Sequence, residues 1–368
     1  MGAASTAIVK ELLEFLILVI GPLVAAVSYI VVYLPIIVVG WVKERVRPSK
    51  SKVVTRRVAI VGASSGIGRE TALHWARHTD VSLVLLARRQ EVLEQVAQEC
   101  REAGANSVAV LPCDASDFYS ISGKLLSADD AAAIDTVLVC AAVSEVTVAR
   151  VVKARDDANF DKHMRMLHLH NRIWRDVTHI NVSAATNAAL ALMPRMRMRR
   201  HGVVVFVGSL ASLAPLTRFG IYGATKAWMI RFAHALRAHV RHDNVHVCHV
   251  LVGPVDTGMQ IDRKNLITGT AAPGKVAKHL VDVASHADLA FYAETCTHPW
   301  WQFAVSFLNA IPPQCFAWLA KWRLVPADMA EMEDTKTLDT LLLEQGGALA
   351  WTSDTPASSV SHESEKLD

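Results

Sequence analysis

A chain of 368 residues, 52% hydrophobic and 20% charged, holds enough apolar material for one large core with attachments. This composition excludes a disordered, collagen-like or disulfide-framed protein, and the apolar excess lies in one place, which excludes a polytopic membrane protein. The net charge of +3 is also local: residues 43–57 carry Lys43, Arg45, Arg47, Lys50, Lys52, Arg56 and Arg57 against Glu44 alone, leaving a body that is no nucleic-acid binder by charge.

After a short segment, 1–14, residues 15–42 run for 28 positions without a charge. As a helix they would extend roughly 42 Å, more than the ~30 Å hydrocarbon core of a bilayer. Pro22 and Pro35 would interrupt or bend such a helix, so the segment reads as a membrane anchor of one of two kinds: a tilted span, or a hairpin entering and leaving one leaflet. A cleaved signal peptide fits poorly, because its apolar region runs only ~7–15 residues. The basic linker, 43–56, has the composition of a cytoplasmic flank and places the body in the cytosol. Six cysteines without a Cys-x-x-Cys pair suit a reducing compartment. The sequon Asn181-Val182-Ser183 falls in what is read below as the active site, which also disfavours a luminal body.

The body opens with a β-branched strand at 57–61, then Gly62-Ala63-Ser64-Ser65-Gly66-Ile67-Gly68, then a helix over 69–77. Strand, glycine turn and helix together form a cradle for a pyrophosphate, whose charge the helix start stabilises. A second strand, 81–86, ends at Ala87-Arg88-Arg89, where an NAD site would place a carboxylate on the ribose 2′-hydroxyl. Arginine there pairs with a 2′-phosphate, so NADP(H) is the expected cofactor, with Arg88 as its ligand; a solvated charge at a helix start is the plainer reading. Strands at 108–111, before Cys113-Asp114, and at 136–139, before Cys140-Ala141-Ala142-Val143, continue the alternation. The fold class is therefore α/β: a Rossmann-like doubly wound parallel sheet with helices on both faces and ligand chemistry beyond the carboxyl ends of the strands.

A strand at 203–207 leads to Gly208-Ser209, and Tyr222-Gly223-Ala224-Thr225-Lys226 follows on a long helix. Tyrosine and lysine at i, i+4 share a helix face. A nearby ammonium favours phenolate, so Lys226 is expected to lower the pKa of Tyr222 and fit it for general acid/base work.

Taken together, these motifs resemble the short-chain dehydrogenase/reductase family over residues 56–295. The resemblance implies that Tyr222 exchanges the proton with the substrate oxygen, that Lys226 tunes it and holds the nicotinamide ribose, that Ser209 bonds the carbonyl, and that Asn181 supports a water in the proton relay. It implies cofactor contacts at Gly62, Ser64, Ser65, Gly66, Ile67, Gly68, Arg88, Asp114, Ala141, Tyr222, Lys226, Val255 and Thr257. Leu86-Ala87-Arg88-Arg89, Ile221 to Lys226 and Val255-Asp256-Thr257-Gly258-Met259, with the apolar N-terminus, look like the 11β-hydroxysteroid dehydrogenase and steroleosin branch. Val61 stands where the family has threonine, Cys140-Ala141-Ala142-Val143 where it has Asn-Asn-Ala-Gly, and Val252 where it has proline. These departures put cofactor affinity or sheet stability in doubt. The interval from Cys140 to Asn181 is long for the family, so part of 143–176 reads as a surface excursion.

Sixteen histidines, among them His163, His168, His170 and His179, complete no recognisable ligand spacing, and no metal is assigned. His246 and His249 read as strand or strand-edge residues. The aromatic-rich extension 296–343, bearing Trp300, Trp301, Phe303, Phe307, Phe316, Trp318 and Trp322, reads as core packing, an apolar lid or a second membrane contact. Residues 344–368 read as a disordered tail. The expected protein is an NADP(H)-dependent oxidoreductase interconverting a secondary alcohol and a ketone on a hydroxysteroid or long-chain lipid. It would be anchored at the endoplasmic reticulum or a lipid droplet, with a hydrophobic small molecule and the membrane as partners and a homodimer implied by the family. The alternatives are a 3-ketosphinganine or 3-oxoacyl thioester reductase, and a membrane or lipid-droplet protein that keeps the fold without catalysis.

Overall fold

The structure, a computed structural model, describes residues 56–78, 80–149, 162–213, 220–259, 270–287 and 294–297, together with Val27, Val31 and Pro35. The segment 1–14, the linker 43–55, the extension from 298 onward and the tail lie outside the described residues, as does the anchor except for three positions. Those three are helical and exposed. Among the described residues, no helix is long and apolar enough to cross a membrane.

Seven parallel strands form one sheet: β1 (Arg57–Val61), β2 (Ser82–Ala87), β3 (Ser107–Pro112), β4 (Thr136–Val139), β5 (Gly202–Val207), β6 (Val245–Leu251) and β7 (Glu294–Cys296), in the order β3-β2-β1-β4-β5-β6-β7. The helices between them are α1 (Gly66–Ala76), α2 (Gln90–Glu102), α3 (Phe118–Ala131), α4 (Glu145–Ala149), α5 (Lys162–Met198), α6 (Gly220–His239) and α7 (Pro273–Ser285). Strand order reverses between β1 and β4, and the crevice of a doubly wound sheet opens at that switch.

The strands are apolar on both faces, as a sheet covered on both sides requires. Val58 and Ile60 of β1, with Leu83 and Leu85 of β2, meet Ala72, Trp75 and Ala76 of α1, Leu93 and Val96 of α2, and Val276 and Leu280 of α7. Ala59 and Val61, with Val84 and Leu86, face the opposite layer, formed by Ile121 and Leu125 of α3, Ala188, Leu192 and Met196 of α5, and Met229 and Ala233 of α6. Register follows from this alternation, since a shift by one residue would exchange the two sets. Ala185, Ala188 and Ala189 are fully buried, and their small side chains let α5 lie close on the sheet.

One expectation needs correction. Helix α1 begins at Gly66, three residues before the expected Arg69, because the tertiary packing of the turn overrides the low helix propensity of its glycines. Within the interval 143–176, residues 143–149 form a loop and α4, and from Lys162 onward the chain belongs to α5, whose 37 residues extend roughly 55 Å. Residues 150–161 lie outside the described set.

Candidate active site

At the end of β1 the backbone enters the left-handed region at Gly62 (φ 91°) and Gly66 (φ 56°), where a side chain is strained. Gly62 N–H donates to Leu86 O at 2.8 Å, which ties the turn to β2. A Cβ on Gly62 would sit 2.6 Å from Ala141 N, and one on Gly68 would run into the Gly62 carbonyl oxygen. Ser65 is the N-cap of α1 and makes no side-chain capping bond; the first turn has no acidic residue, so the positive end of the helix is left for an outside anion. Thr257 packs its methyl against Gly66, 3.4 Å from where a Cβ would lie, and buried Val255 bridges to Ala271. The 255–257 segment is thus brought to the glycine turn.

Two arginines stand at the end of β2. Arg89 Nη2 donates to Ser64 Oγ at 3.1 Å. Arg88 faces Asp114; burial works against the Asp114 charge, but hydrogen bonds from Ser116 N–H and Oγ, aided by Arg88, hold that carboxyl below the usual range. The expected departures also find partners. Val61 O accepts from both Cys140 N–H and Ala141 N–H at 2.9 Å, so backbone alone closes the β1–β4 junction without a threonine hydroxyl. A turn bare of side chains at Gly62, Gly66 and Gly68, a helix start without acid and an arginine pair in place of a carboxylate fit a phosphorylated dinucleotide.

Across the crevice, Tyr222 lies in the first turn of α6 and Lys226 one turn later. Ser209, just after β5, hydrogen-bonds the Tyr222 side chain. Lys226 is 2% exposed, donates to Val207 O at 2.8 Å, and lies 5.7 Å from the centre of the Tyr222 ring. Asn181 of α5 accepts from Val143 N–H at 2.8 Å and donates to Val143 O at 2.9 Å and to Thr225 Oγ1 at 3.0 Å. That clamp joins the loop after β4 to the helix bearing Tyr222.

The electrostatics reverse one expectation. Burial pushes Tyr222 up to about 12, the Ser209 bond opposes this, and the charge of Glu145 adds to it; Lys226 is not what sets the phenol. Burial likewise pulls Lys226 down to about 8. Desolvation disfavours both charged forms and outweighs the pairwise attraction expected from the i, i+4 spacing. Folded Lys226 therefore releases its proton near pH 8, while the unfolded chain retains it to about 10.5. The unfolded state binds more protons across that window, so this residue makes stability rise with pH. Unfolding free energy should increase from pH 7.5 to 10 by about 2 kcal/mol more in the wild type than in Lys226→Met, as read by denaturant titration.

A family model described as short chain dehydrogenase matches residues 56–266. The chain belongs to that family. The "Dehydrogenase/reductase SDR family protein 7-like" of Anopheles gambiae is 30% identical over 271 residues, 70% of this chain and 78% of that one. The "NADP-dependent 3-hydroxy acid dehydrogenase" of Schizosaccharomyces pombe is 29% identical over 213 residues, 58% and 76% of the two chains. A crystal structure of the 3-oxoacyl-[acyl-carrier protein] reductase of Brucella melitensis covers 69% of this chain with 92% of its own, at TM-score 0.54 and 22% identity, a likeness of fold.

As a short-chain dehydrogenase, the chain is an oxidoreductase for alcohols and ketones with a nicotinamide-binding fold. Three of its site residues escaped sequence reading. Glu145 opens α4 and accepts from Ile221 N–H at 2.6 Å and Tyr222 N–H at 2.9 Å. A carboxylate six residues past β4, on the ligand-facing edge of the sheet, was the available signal. Arg89 shares the β2 terminus with Arg88. His249 of β6 is fully buried without a hydrogen bond at either ring nitrogen, lowered to about 3 by burial and then by Lys226. It occupies the space left by Gly208, where a Cβ would meet its ring. Among the described residues, no cluster of three His, Cys, Asp or Glu side chains is placed to hold a metal ion.

Proposed function

We propose that this short-chain dehydrogenase is an NADP(H)-dependent, membrane-anchored enzyme that interconverts a ketone and a secondary alcohol on a hydrophobic substrate, a hydroxysteroid or long-chain lipid. The observation that carries the reading is the Tyr222 phenol bonded to Ser209 with buried Lys226 one turn away, across the crevice from the glycine turn. When bound, the nicotinamide supplies the hydride chemistry. Gly62, Ser64, Ser65, Gly66, Ile67 and Gly68 would hold the diphosphate end, Arg88 and Arg89 the 2′-phosphate, Asp114 and Ala141 the adenosine half, and Val255, Thr257 and Lys226 the nicotinamide end.

Tyr222 keeps its proton through neutral pH and donates it to the carbonyl oxygen as that oxygen gains charge, which favours reduction. Ser209 orients that oxygen from the other side. Lys226, charged below about pH 8, places a positive charge behind the phenol and stabilises the tyrosinate left after proton transfer. Asn181 is a positioning residue that fixes Val143 and Thr225 around the site.

Membrane placement is supported by the uncharged run 15–42, by its basic flank, and by exposed Val27 and Val31 on one helical face. A homodimer through α5 and α6 belongs to the same proposal, with Trp174, Leu190 and Met198 exposed along α5. The NADP(H) assignment is supported by the arginine pair and by the name of the fission-yeast relative. Charge-assisted bonds to a phosphate contribute roughly 1.5–3 kcal/mol. Detergent-solubilised protein should therefore reduce long-chain and alicyclic ketones with NADPH at least about tenfold better than with NADH in kcat/KM, and Arg88→Ala/Arg89→Ala should lose that preference. Equal use of both cofactors by the wild type, or consumption of neither, would overturn the proposal.

A further inference from the structure

The catalytic groups sit where the strands end. The opposite face, where the helices end and β1, β5 and β6 begin, collects arginines. Three of these are paired with carboxylates: Arg195 Nη1 lies 3.3 Å from Asp129 and 2.6 Å from Asp130, Arg199 Nη1 lies 3.1 Å from Asp129, and Arg197 Nε lies 2.6 Å from Asp243. Arg56, Arg200 and Arg241 are exposed and have no carboxylate partner among the described residues. Arg200 Nη2 donates to His242 O at 3.0 Å and Arg241 Nη1 to Ala238 O at 3.3 Å, neutral acceptors that leave both charges whole. Met198, the last residue of α5, is 84% exposed between Arg197 and Arg199. A bare thioether set among guanidinium groups suits the boundary of headgroup and acyl chain better than it suits water.

Hydrogen bonds join these groups into one surface. Asp135 Oδ2 accepts the Arg56 and Arg57 amide protons at 3.0 and 2.9 Å, and Asp135 Oδ1 lies 3.3 Å from His201 Nε2, so the point where the chain enters β1 adjoins the turn before β5. Asn244 Nδ2 donates to Arg200 O at 2.8 Å and joins that turn to the one before β6. We propose that this face docks on the anionic phospholipid surface of a bilayer, with Arg56, Arg200 and Arg241 among the headgroup phosphates and Met198 at the acyl boundary. The inference rests on the membrane placement proposed above and adds the face by which the body lies on the membrane. Chain continuity selects lipid over a soluble acidic partner. The residues before Arg56 are the basic linker 43–55, with Lys43, Arg45, Arg47, Lys50 and Lys52 against Glu44, and before it comes the uncharged run 15–42, so the chain arrives from the proposed anchor at this face. An acidic protein would pair the arginines but leave Met198 without a role. The crevice, at the other ends of the strands, then opens to water, from which the cofactor comes.

The test uses full-length protein in lipid nanodiscs of phosphatidylcholine alone, or with about a third phosphatidylserine, and reads hydroxyl-radical oxidation of Met198 by mass spectrometry. Tyr119, 85% exposed at the start of α3 on the crevice side, is the internal control. Phosphatidylserine should slow Met198 oxidation by about fivefold or more, the contribution of roughly one arginine near an anionic surface, and leave Tyr119 unchanged. Salt at about 0.5 M, or Arg200→Glu/Arg241→Glu, should remove the protection. Equal oxidation of Met198 in the two lipids, protection that survives the charge reversal, or equal slowing of Met198 and Tyr119 would each overturn the assignment. The wild-type comparison alone decides if the variant does not fold. Protection by an oligonucleotide in solution but not by phosphatidylserine would give the face to a soluble polyanion instead. A chain that joins only the anionic nanodiscs, with Met198 protected, keeps this face and strikes the anchor reading, and one that joins neither strikes both.

Discussion

Tyr222→Phe is expected to lower ketone reduction by roughly 10²- to 10⁴-fold, the range that a positioned general acid supplies. The ring, packed against the cluster of Val148, Leu169, Ile173 and Val177, is retained, and the loss is confined to the phenolic oxygen and its bond with Ser209. Removing one such bond costs about 1 kcal/mol, far too little to unfold a domain with two fully buried layers. NADPH affinity should change by less than about half an order of magnitude, because the glycine turn and the arginines stand on other elements. Steady-state kinetics beside thermal unfolding separate the two effects. Turnover above a tenth of the wild-type value would remove the phenol from proton transfer.

The largest stability effect is expected at Gly62. Its φ of 91° would impose roughly 1–2 kcal/mol of strain on any L side chain. The new Cβ would also press on Ala141 N, a backbone atom of the neighbouring strand end that cannot swing aside, and overpacking of this kind costs roughly 1–3 kcal/mol. Gly62→Ala should therefore destabilise by on the order of 3 kcal/mol, lower Tm by roughly 10 °C in a domain of this size, and weaken NADPH binding in parallel. Gly123 of α3 supplies the contrast: nothing lies within 4 Å of its added Cβ, so Gly123→Ala should gain up to about 1 kcal/mol. A gain of stability at both positions alike would show that glycine entropy, not the close approach at Ala141, governs the turn.

Much of this architecture was legible because β-branched runs mark buried parallel strands. Arg57–Val61 and Thr136–Val139 have the bounds their composition predicts, and the glycine spacing located the turn between β1 and α1. Boundaries failed where tertiary contact overrides local propensity: Gly66 and Gly68 are poor helix formers, yet they begin α1. The extent of α5 was missed because its first turns carry histidines, arginines and an asparagine without a clean apolar stripe. The candidate site was legible as residue types and not as energetics. Spacing put Lys226 on the same face as Tyr222, but only the fold shows that Lys226 donates to Val207 O and that desolvation governs both groups. Glu145 was invisible for a related reason: its partners lie 76 and 77 positions away, across a fold that no local pattern encodes.

The β1–β4 junction that carries Val61 and Cys140 to Val143 is held by backbone hydrogen bonds and by Asn181. Where a threonine hydroxyl would tie two strands, the Val61 carbonyl accepts two backbone amides, and Asn181 takes hold of Val143 directly. Cys140 places a thiol, pushed up to about 12 and so uncharged, within the field of Lys226. The lysine there gains no competing anion.

The central claim is that the crevice between the glycine turn and Tyr222 carries a ketone reduction, and isotope transfer tests it most directly. Full-length protein would be given NADPH bearing deuterium on the transferring face of C4, with a hydrophobic ketone, and the alcohol analysed by mass spectrometry. Wild type should give an alcohol with one deuterium on the carbinol carbon, and Tyr222→Phe roughly 10²- to 10⁴-fold less of the same labelled alcohol in equal time. An alcohol formed without label, or as much labelled alcohol from Tyr222→Phe as from wild type, would contradict the claim.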